Sequence, residues 1–242
     1  MSRLLLFAVA LLAACSSAYA TLTPAPSAVL VDGTLNVAIA ERDGVRLTVQ
    51  ADAWDGDRQV ADAVQTVRVT IANHSDHSLR VRYEDFSLVA STGQRFAALP
   101  PFKVEGSLMQ PMLADGYAPF GVAGFGYRGF LIAPYYARLY PGIPVFPSSR
   151  LFYEPGFYTT YHRSLTRSIR PTVQMLSLAM PEGVIEAGGQ LSGFLYFEAV
   201  DARLDAVQFQ ADLSAVQSIS TGVTEQRLGL FAVPLLVSRQ VR

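Results

Sequence analysis

The chain has very little cysteine, since Cys15 is the only one among 242 residues. An internal disulfide is therefore excluded, and so is a metal site built from several thiolates. A folded domain must depend on the burial of apolar side chains instead. Hydrophobic residues make up 50% of the chain, which is ample for a packed core.

The chain also lacks an excess of charge of either sign and, beyond its N-terminus, any long apolar run. Its 19 basic residues nearly balance its 20 acidic ones. Nucleic-acid binding needs a basic surface that attracts phosphates, so we expect no nucleic-acid partner. No uncharged run between Asp32 and the C-terminus exceeds 12 residues, which is too short to cross a bilayer as a helix.

The first residues are typical of a bacterial signal peptide. Arg3 supplies a positive charge, and the apolar run of residues 4–14 that follows is too short for a membrane-spanning helix. The sequence Leu12-Ala13-Ala14-Cys15 resembles a lipobox, in which small residues precede a cysteine that becomes the lipidated N-terminus. We therefore expect a signal peptide over residues 1–14 and lipidation at Cys15.

A second cleavage pattern leaves an alternative open. Cleavage after Ala20, in Ala18-Tyr19-Ala20, would give a soluble secreted or periplasmic protein. Residues 15–33 carry no charge before Asp32, and their Ala, Ser, Thr and Pro content is typical of a tether behind a lipidated cysteine. By resemblance to known lipoproteins, the absence of Asp after Cys15 favours attachment to the outer membrane, facing the periplasm.

Alternating apolar and polar residues over residues 64–99 predict antiparallel strands with one buried face. The polar residues 73–78 predict a hairpin turn between two of these strands, and Arg42-Asp43-Gly44 predicts a second hairpin. Pro171 suits the first turn of a helix and Pro181 stops one, so residues 171–180 predict one short helix. Residues 34–242 are thus expected to form a single all-β domain, an antiparallel β-sandwich.

A segment rich in aromatic residues, Gly and Pro interrupts the strands. Residues 102–161 contain 15 of the 26 aromatic residues and keep no steady period. We interpret residues 102–170 as an insertion between strands that either enlarges the core or contacts a partner or a membrane surface. The candidate interaction residues are Tyr127, Phe130, Tyr135, Tyr136, Tyr140 and Phe146.

Several short motifs occur in a familiar order. They are Asn73-x-Ser75, Phe86-Ser87-Leu88, Gly93, Gly188-Gly189, Gly193 and Phe197. Their order resembles that of the telokin-like, immunoglobulin-like domains of bacterial lipoproteins. The resemblance covers residues 35–99 and 180–237 and implies an immunoglobulin-like sandwich, without an activity, a cofactor or catalytic residues.

Motifs for catalysis and cofactor binding find little support. Residues 124–129 fit G-x-G-x-x-G, but a dinucleotide fold needs a helix after this loop and an acid about 20 residues further on. Pro134 follows closely, and no acidic residue occurs before Glu154. No G-x-S-x-G nucleophile elbow is present. We expect no cofactor and no enzymatic activity.

The three histidines offer the alternative. His74 and His77 have a spacing seen in metal sites, and His162 could join them in an envelope metal-dependent hydrolase. Zinc usually needs three or four protein ligands, and we expect the two residues of the polar turn to be solvated without metal. The sequence therefore predicts a lipid-anchored cell-envelope protein. Its domain would be a non-catalytic binding or structural module that contacts an envelope protein through the aromatic segment.

Overall fold

Most of the chain is antiparallel β-structure, as the alternation of apolar and polar residues predicts. The computed structural model describes residues 18–101, 103–104, 107–108, 124–152, 155–219 and 222–241, so the expected signal peptide and Cys15 lie outside the described residues. The strands are β1 (Ala18–Pro24), β2 (Val29–Leu30), β3 (Val37–Arg42), β4 (Val45–Gln50), β5 (Gln65–Asn73), β6 (Ser78–Val81), β7 (Phe86–Ala90), β8 (Arg95–Ala97), β9 (Lys103–Val104), β10 (Ser107–Leu108), β11 (Gly126–Ile132), β12 (Gly183–Phe197), β13 (Ala206–Ile219) and β14 (Gly222–Val241).

Twelve of these strands form one nearly closed sheet. Its order is β1-β14-β13-β6-β12-β5-β4-β3-β2, with β11 beside β12, β7 beside β13, and β8 beside β7. Strand β14 also lies against β3, where Gly229 has a φ of 111° and leaves room for the guanidinium of Arg42. This approach brings the two ends of the sheet together around a continuous apolar core.

The predicted hairpin between β3 and β4 is confirmed. Asp43 and Gly44 form its two-residue turn with φ values of 49° and 75°, the left-handed backbone that a tight hairpin of this kind requires. Val45, Leu47 and Val49 alternate into the core, which fixes the register of β4.

The hairpin predicted at residues 73–78 is wrong. Strand β5 pairs with residues 190–197 of β12, and β6 continues in the same direction beside residues 183–185 of the same strand. Strand β6 also pairs with β13 on its other side. The chain therefore does not reverse at residues 73–78. These residues instead connect β5 to β6, which lies further along β12 and has β13 as its second neighbour.

The side chain of Asn73 holds this crossover in place from a fully buried position. Its amide nitrogen donates to the carbonyl oxygens of His77 (2.7 Å), Glu186 (2.9 Å) and Ile185 (3.3 Å). Its amide oxygen accepts the backbone N–H of Ser75 at 3.1 Å and the hydroxyl of Ser75 at 2.6 Å. The Asn-x-Ser motif thus supplies the hydrogen bonds that strand pairing does not supply at this point.

Part of the expected tether belongs to the sheet, which corrects the expectation for residues 15–33. All seven residues of β1 pair with residues 235–241 of β14. Leu22 is buried and Ala20 packs against the core, so residues expected to form a tether instead make the alternating contacts of a strand.

The described part of the aromatic segment is also integrated into the fold. Strand β11 pairs with β12, with an irregular register at Gly129. The helix predicted within residues 171–180 is confirmed as Val173–Leu178, and the described residues form two further helices. In chain order the helices are α1 (Arg58–Ala63), α2 (Pro155–Ser168) and α3 (Val173–Leu178). The hydroxyl of Thr172 accepts the N–H of Met175 and caps α3. The expectation of a single helix is wrong.

Candidate functional site

A charged pocket of about 420 Å³ lies on the outer face of the sheet, beside the turn Tyr83–Asp85. We call it the arginine pocket. Its charged lining residues are Arg80, Arg82, Glu84, Asp85, Arg95, Asp212 and Arg227, and its uncharged ones are Ser87, Gln210, Ser214 and Leu230. Pockets of this size are typical of small-molecule sites.

Strand pairing brings these residues together from distant parts of the sequence. Gln210 pairs with Ser87, and Ser214 pairs with Arg80 on one side and Arg227 on the other. Because side chains alternate along a strand, residues 210, 212 and 214 of β13 share the pocket face, while residues 209, 211 and 213 enter the core. The pocket therefore depends on the register of three strands around β13.

Asp85 is the buried acid of the pocket, with 7% of its surface exposed. One carboxylate oxygen accepts the backbone N–H of Arg82 at 2.9 Å, which caps the turn. The other lies 3.4 Å from the guanidinium of Arg80 and 3.8 Å from that of Arg82. Burial raises the pKa of Asp85 to about 7, although both arginines and the Arg82 N–H act to lower it.

Most guanidinium groups of the pocket are also paired with carboxylates. These ion pairs are Arg80–Glu225, Arg82–Glu84 and Arg227–Asp212. The last is bidentate, with N–O distances of 2.6 and 2.5 Å. Such forked pairs fix the orientation of an arginine side chain.

Three donors of the pocket have no partner within the part of the chain that the structure describes. They are Nε of Arg80, the hydroxyl of Ser87 and the guanidinium of Arg95. Arg80 is 4% exposed and Ser87 is fully buried, whereas Arg95 is exposed on β8. A buried polar atom without a partner costs about 1–3 kcal/mol, so two such atoms beside one pocket indicate a place where a ligand would be favourable.

The aromatic residues predicted to contact a partner lie mostly in the interior. Phe130, Tyr136, Tyr140 and Phe146 are buried core residues, and Tyr135 is partly buried. The rings of Tyr135 and Tyr136 are 4.7 Å apart, and Phe125 packs edge-on against Tyr140 at 5.1 Å. Tyr127 on β11 is the exception, with 44% of its surface exposed.

A buried carboxylate joins this aromatic segment to the sheet. Glu182 is 1% exposed and accepts the backbone N–H of Tyr83 at 3.0 Å and the hydroxyl of Tyr135. The hydroxyls of Tyr83, Tyr140 and Tyr196 donate to backbone carbonyls near helix α3 at 2.8–3.1 Å. Burial raises the pKa of these three tyrosines, so they remain protonated donors.

The histidines occupy separate positions. His74 is exposed, and His77 lies 3.2 Å from Asp76 and 3.3 Å from the amide of Gln217. His162 belongs to α2, and its side chain lies outside the described part of the structure. The described residues contain no group of three or more His, Cys, Asp or Glu side chains that could hold a metal ion.

Comparisons with protein-family models, curated proteins and solved structures find no match for this chain. None of the helices in the described ranges is both long and apolar enough to span a membrane.

The sequence carries a signal for the arginine pocket, because Arg80, Arg82, Glu84 and Asp85 lie within six positions. Strand alternation alone places both arginines on the outer, solvent-facing side of the sheet. Arg80 lies on that outer face and is nevertheless buried, because Asp85 and Glu225 cover it. Four charged residues within six positions indicate a local network of ion pairs, while its partners on β13 and β14 can be found only from the fold.

Proposed function

We propose that this chain is a lipid-anchored cell-envelope protein whose β-structure is an immunoglobulin-like sandwich of the telokin-like kind, acting as a non-catalytic binding module. Lipid attached to Cys15 anchors the protein, which lies on the periplasmic face of the outer membrane. The module holds an envelope partner close to the bilayer. The observation that carries the proposal is the position of β1, which begins three residues after Cys15.

The pairing of β1 supports processing at Cys15 over cleavage after Ala20. Cleavage after Ala20 would remove Ala18, Tyr19 and Ala20, which are three of the seven residues that pair with β14. Processing at Cys15 retains the whole strand. Three extended residues span about 10 Å, so the sheet would stand within this distance of the lipid.

The Asn73 crossover supports the resemblance to immunoglobulin-like domains. The motif Asn73-x-Ser75 ends a strand and turns the chain toward a new neighbour, and its role here is structural. Gly193 packs directly against the backbone of Met180, 2.8 Å from where a Cβ would stand. Both motif residues thus serve the fold.

Burial narrows the surface that a partner can contact. With four of the six candidate aromatic residues in the core, Tyr127 is the one that presents a large exposed ring. It stands on β11 beside Arg128, whose guanidinium donates to the carbonyl of Gly188 at 3.1 Å. Aromatic and arginine side chains on a rigid strand are typical of protein interfaces.

Two experiments test the proposal in cells. Fractionation should find the wild-type protein in membranes and the Cys15→Ala variant in the soluble fraction, because removing the acyl chains removes the anchor. A photo-crosslinking residue at Tyr127 should capture a defined envelope protein, whereas the same residue at Leu35, which is 87% exposed in the loop between β2 and β3, should not. Wild-type protein in the soluble fraction, or equal capture from both positions, would contradict the proposal.

A further inference from the structure

We propose that the arginine pocket binds a small organic molecule through an oxyanion group, a phosphate or a carboxylate, held by Arg95, Ser87 and Nε of Arg80. This inference goes beyond the envelope role and does not depend on it, because the pocket is lined by residues of β6, β7, β8, β13 and β14 and of the turn between β6 and β7, and neither Cys15 nor Tyr127 is among them.

The groups that remain without a partner are of one chemical kind. Nε of Arg80 and the guanidinium of Arg95 are donors only, and the hydroxyl of Ser87 can also donate. They come from strands β6, β7 and β8, so one bound group could meet donors from several directions. Oxygen atoms of phosphates and carboxylates are the acceptors that guanidinium groups bind best.

The charges of the pocket leave one arginine available. Arg80, Arg82 and Arg227 each have a carboxylate partner, whereas Arg95 makes no ion pair within the described residues. An incoming anion would therefore pair with Arg95 without displacing an existing ion pair. A neutral ligand would leave this charge unused.

The volume leaves room for a molecule larger than a bare ion. A pocket of about 420 Å³ corresponds to about 14 waters at about 30 Å³ each, which is room for an organic molecule of several carbon atoms. Gln210 and Ser214 line the same pocket and offer hydrogen-bonding groups to hydroxyls of the ligand. The ligand class is therefore a hydroxylated organic anion.

Isothermal titration of the purified full-length chain in detergent tests this inference. The probes are glucose 6-phosphate and glucuronate, with glucose as the uncharged control. At least one anion should bind saturably at millimolar concentration, and glucose should not. Arg95→Ala should weaken binding by about ten- to hundredfold, as expected for a lost charged hydrogen bond, and Ser87→Ala by about threefold or more.

Two controls keep a loss of binding from being mistaken for unfolding. Removing the unpartnered Ser87 hydroxyl should leave the stability unchanged or slightly higher, which urea unfolding measures. Arg68→Ala removes an exposed arginine on β5, outside the pocket, and should not change the affinity. The inference is overturned if neither anion binds, if glucose binds equally well, or if the two pocket variants bind like wild type.

Discussion

Replacement of Asn73 by Ala should destabilise the whole sheet more than any other substitution of a polar side chain in the crossover. The side chain makes hydrogen bonds to three backbone carbonyls and accepts two from Ser75. Its removal leaves the carbonyls of Ile185 and Glu186 without this donor at the point where β12 changes neighbours. Ile185 has register partners in Leu79 and Phe130, whereas Glu186 has none among the described strands.

The expected loss follows from the number of bonds. At about 1 kcal/mol for each net hydrogen bond, with a further cost for buried carbonyls left without a partner, Asn73→Ala should lower the free energy of unfolding by about 3–5 kcal/mol. Asn73→Asp keeps the acceptor and loses the amide donor, so it places a carboxylate against carbonyl oxygens and should be at least as harmful. Ser75→Ala keeps the Asn73 side chain and should cost about 1 kcal/mol.

Urea unfolding followed by circular dichroism measures these differences, with His74→Ala as an exposed control in the same segment. The midpoints should fall in the order His74→Ala, Ser75→Ala and then the two Asn73 variants. A loss below about 1 kcal/mol for Asn73→Ala, or a stable Asn73→Asp protein, would refute the reasoning that donation by the amide holds the crossover.

Three further predictions concern buried groups elsewhere. Because burial raises the pKa of Asp85 from 3.8 to about 7, the contribution of Asp85 to stability is full below about pH 4 and is lost as the pH rises to 7, by at most about 4 kcal/mol. Relative to wild type, Asp85→Asn should therefore gain stability over this pH range in urea titrations. A constant difference between the two proteins would contradict this prediction. Gly193→Ala places a Cβ 2.8 Å from neighbouring backbone atoms and should lower the free energy of unfolding by about 2 kcal/mol, measured by thermal unfolding. Gly142→Ala, whose Cβ would meet nothing within 4 Å, should leave the stability unchanged. Equal effects of the two substitutions would count against close packing at Gly193. Tyr135→Phe removes a donor from buried Glu182 and should cost about 2 kcal/mol in urea, and an unchanged midpoint would show that this bond is unimportant.

Local sequence patterns predicted the structural features that depend on residues close together in the chain. The Asp43-Gly44 turn follows from two residues suited to left-handed backbone, and the helix within residues 171–180 follows from the prolines at the two ends of this stretch; both are confirmed. The turn after β5 has equally polar residues, yet the chain continues along β12 there. A hairpin and a crossover differ in which distant strand accepts the backbone hydrogen bonds, and turn composition carries no information on that.

The aromatic segment shows a second limit of structure prediction from local sequence patterns. Its rings follow no helical or strand period, because its buried residues come from one strand, short 3-10 turns and loops rather than from one regular element. The hydroxyl partners of Tyr135 and Tyr140 are Glu182 and the carbonyl of Leu176, which lie some 40 residues away in the chain. The candidate pocket likewise depends on partners on β13 and β14, far from Arg80 in the chain.

The most direct test of the account is the identity of the mature N-terminus. Intact-mass and peptide mass spectrometry of the protein isolated from its native membranes should find an N-terminal peptide that begins at Cys15, carries acyl chains and leaves the whole of β1 in the protein. A mature chain that begins at Thr21 without lipid would contradict the account, because three of the seven residues of β1 would then be missing and no anchor would hold the sheet beside the bilayer.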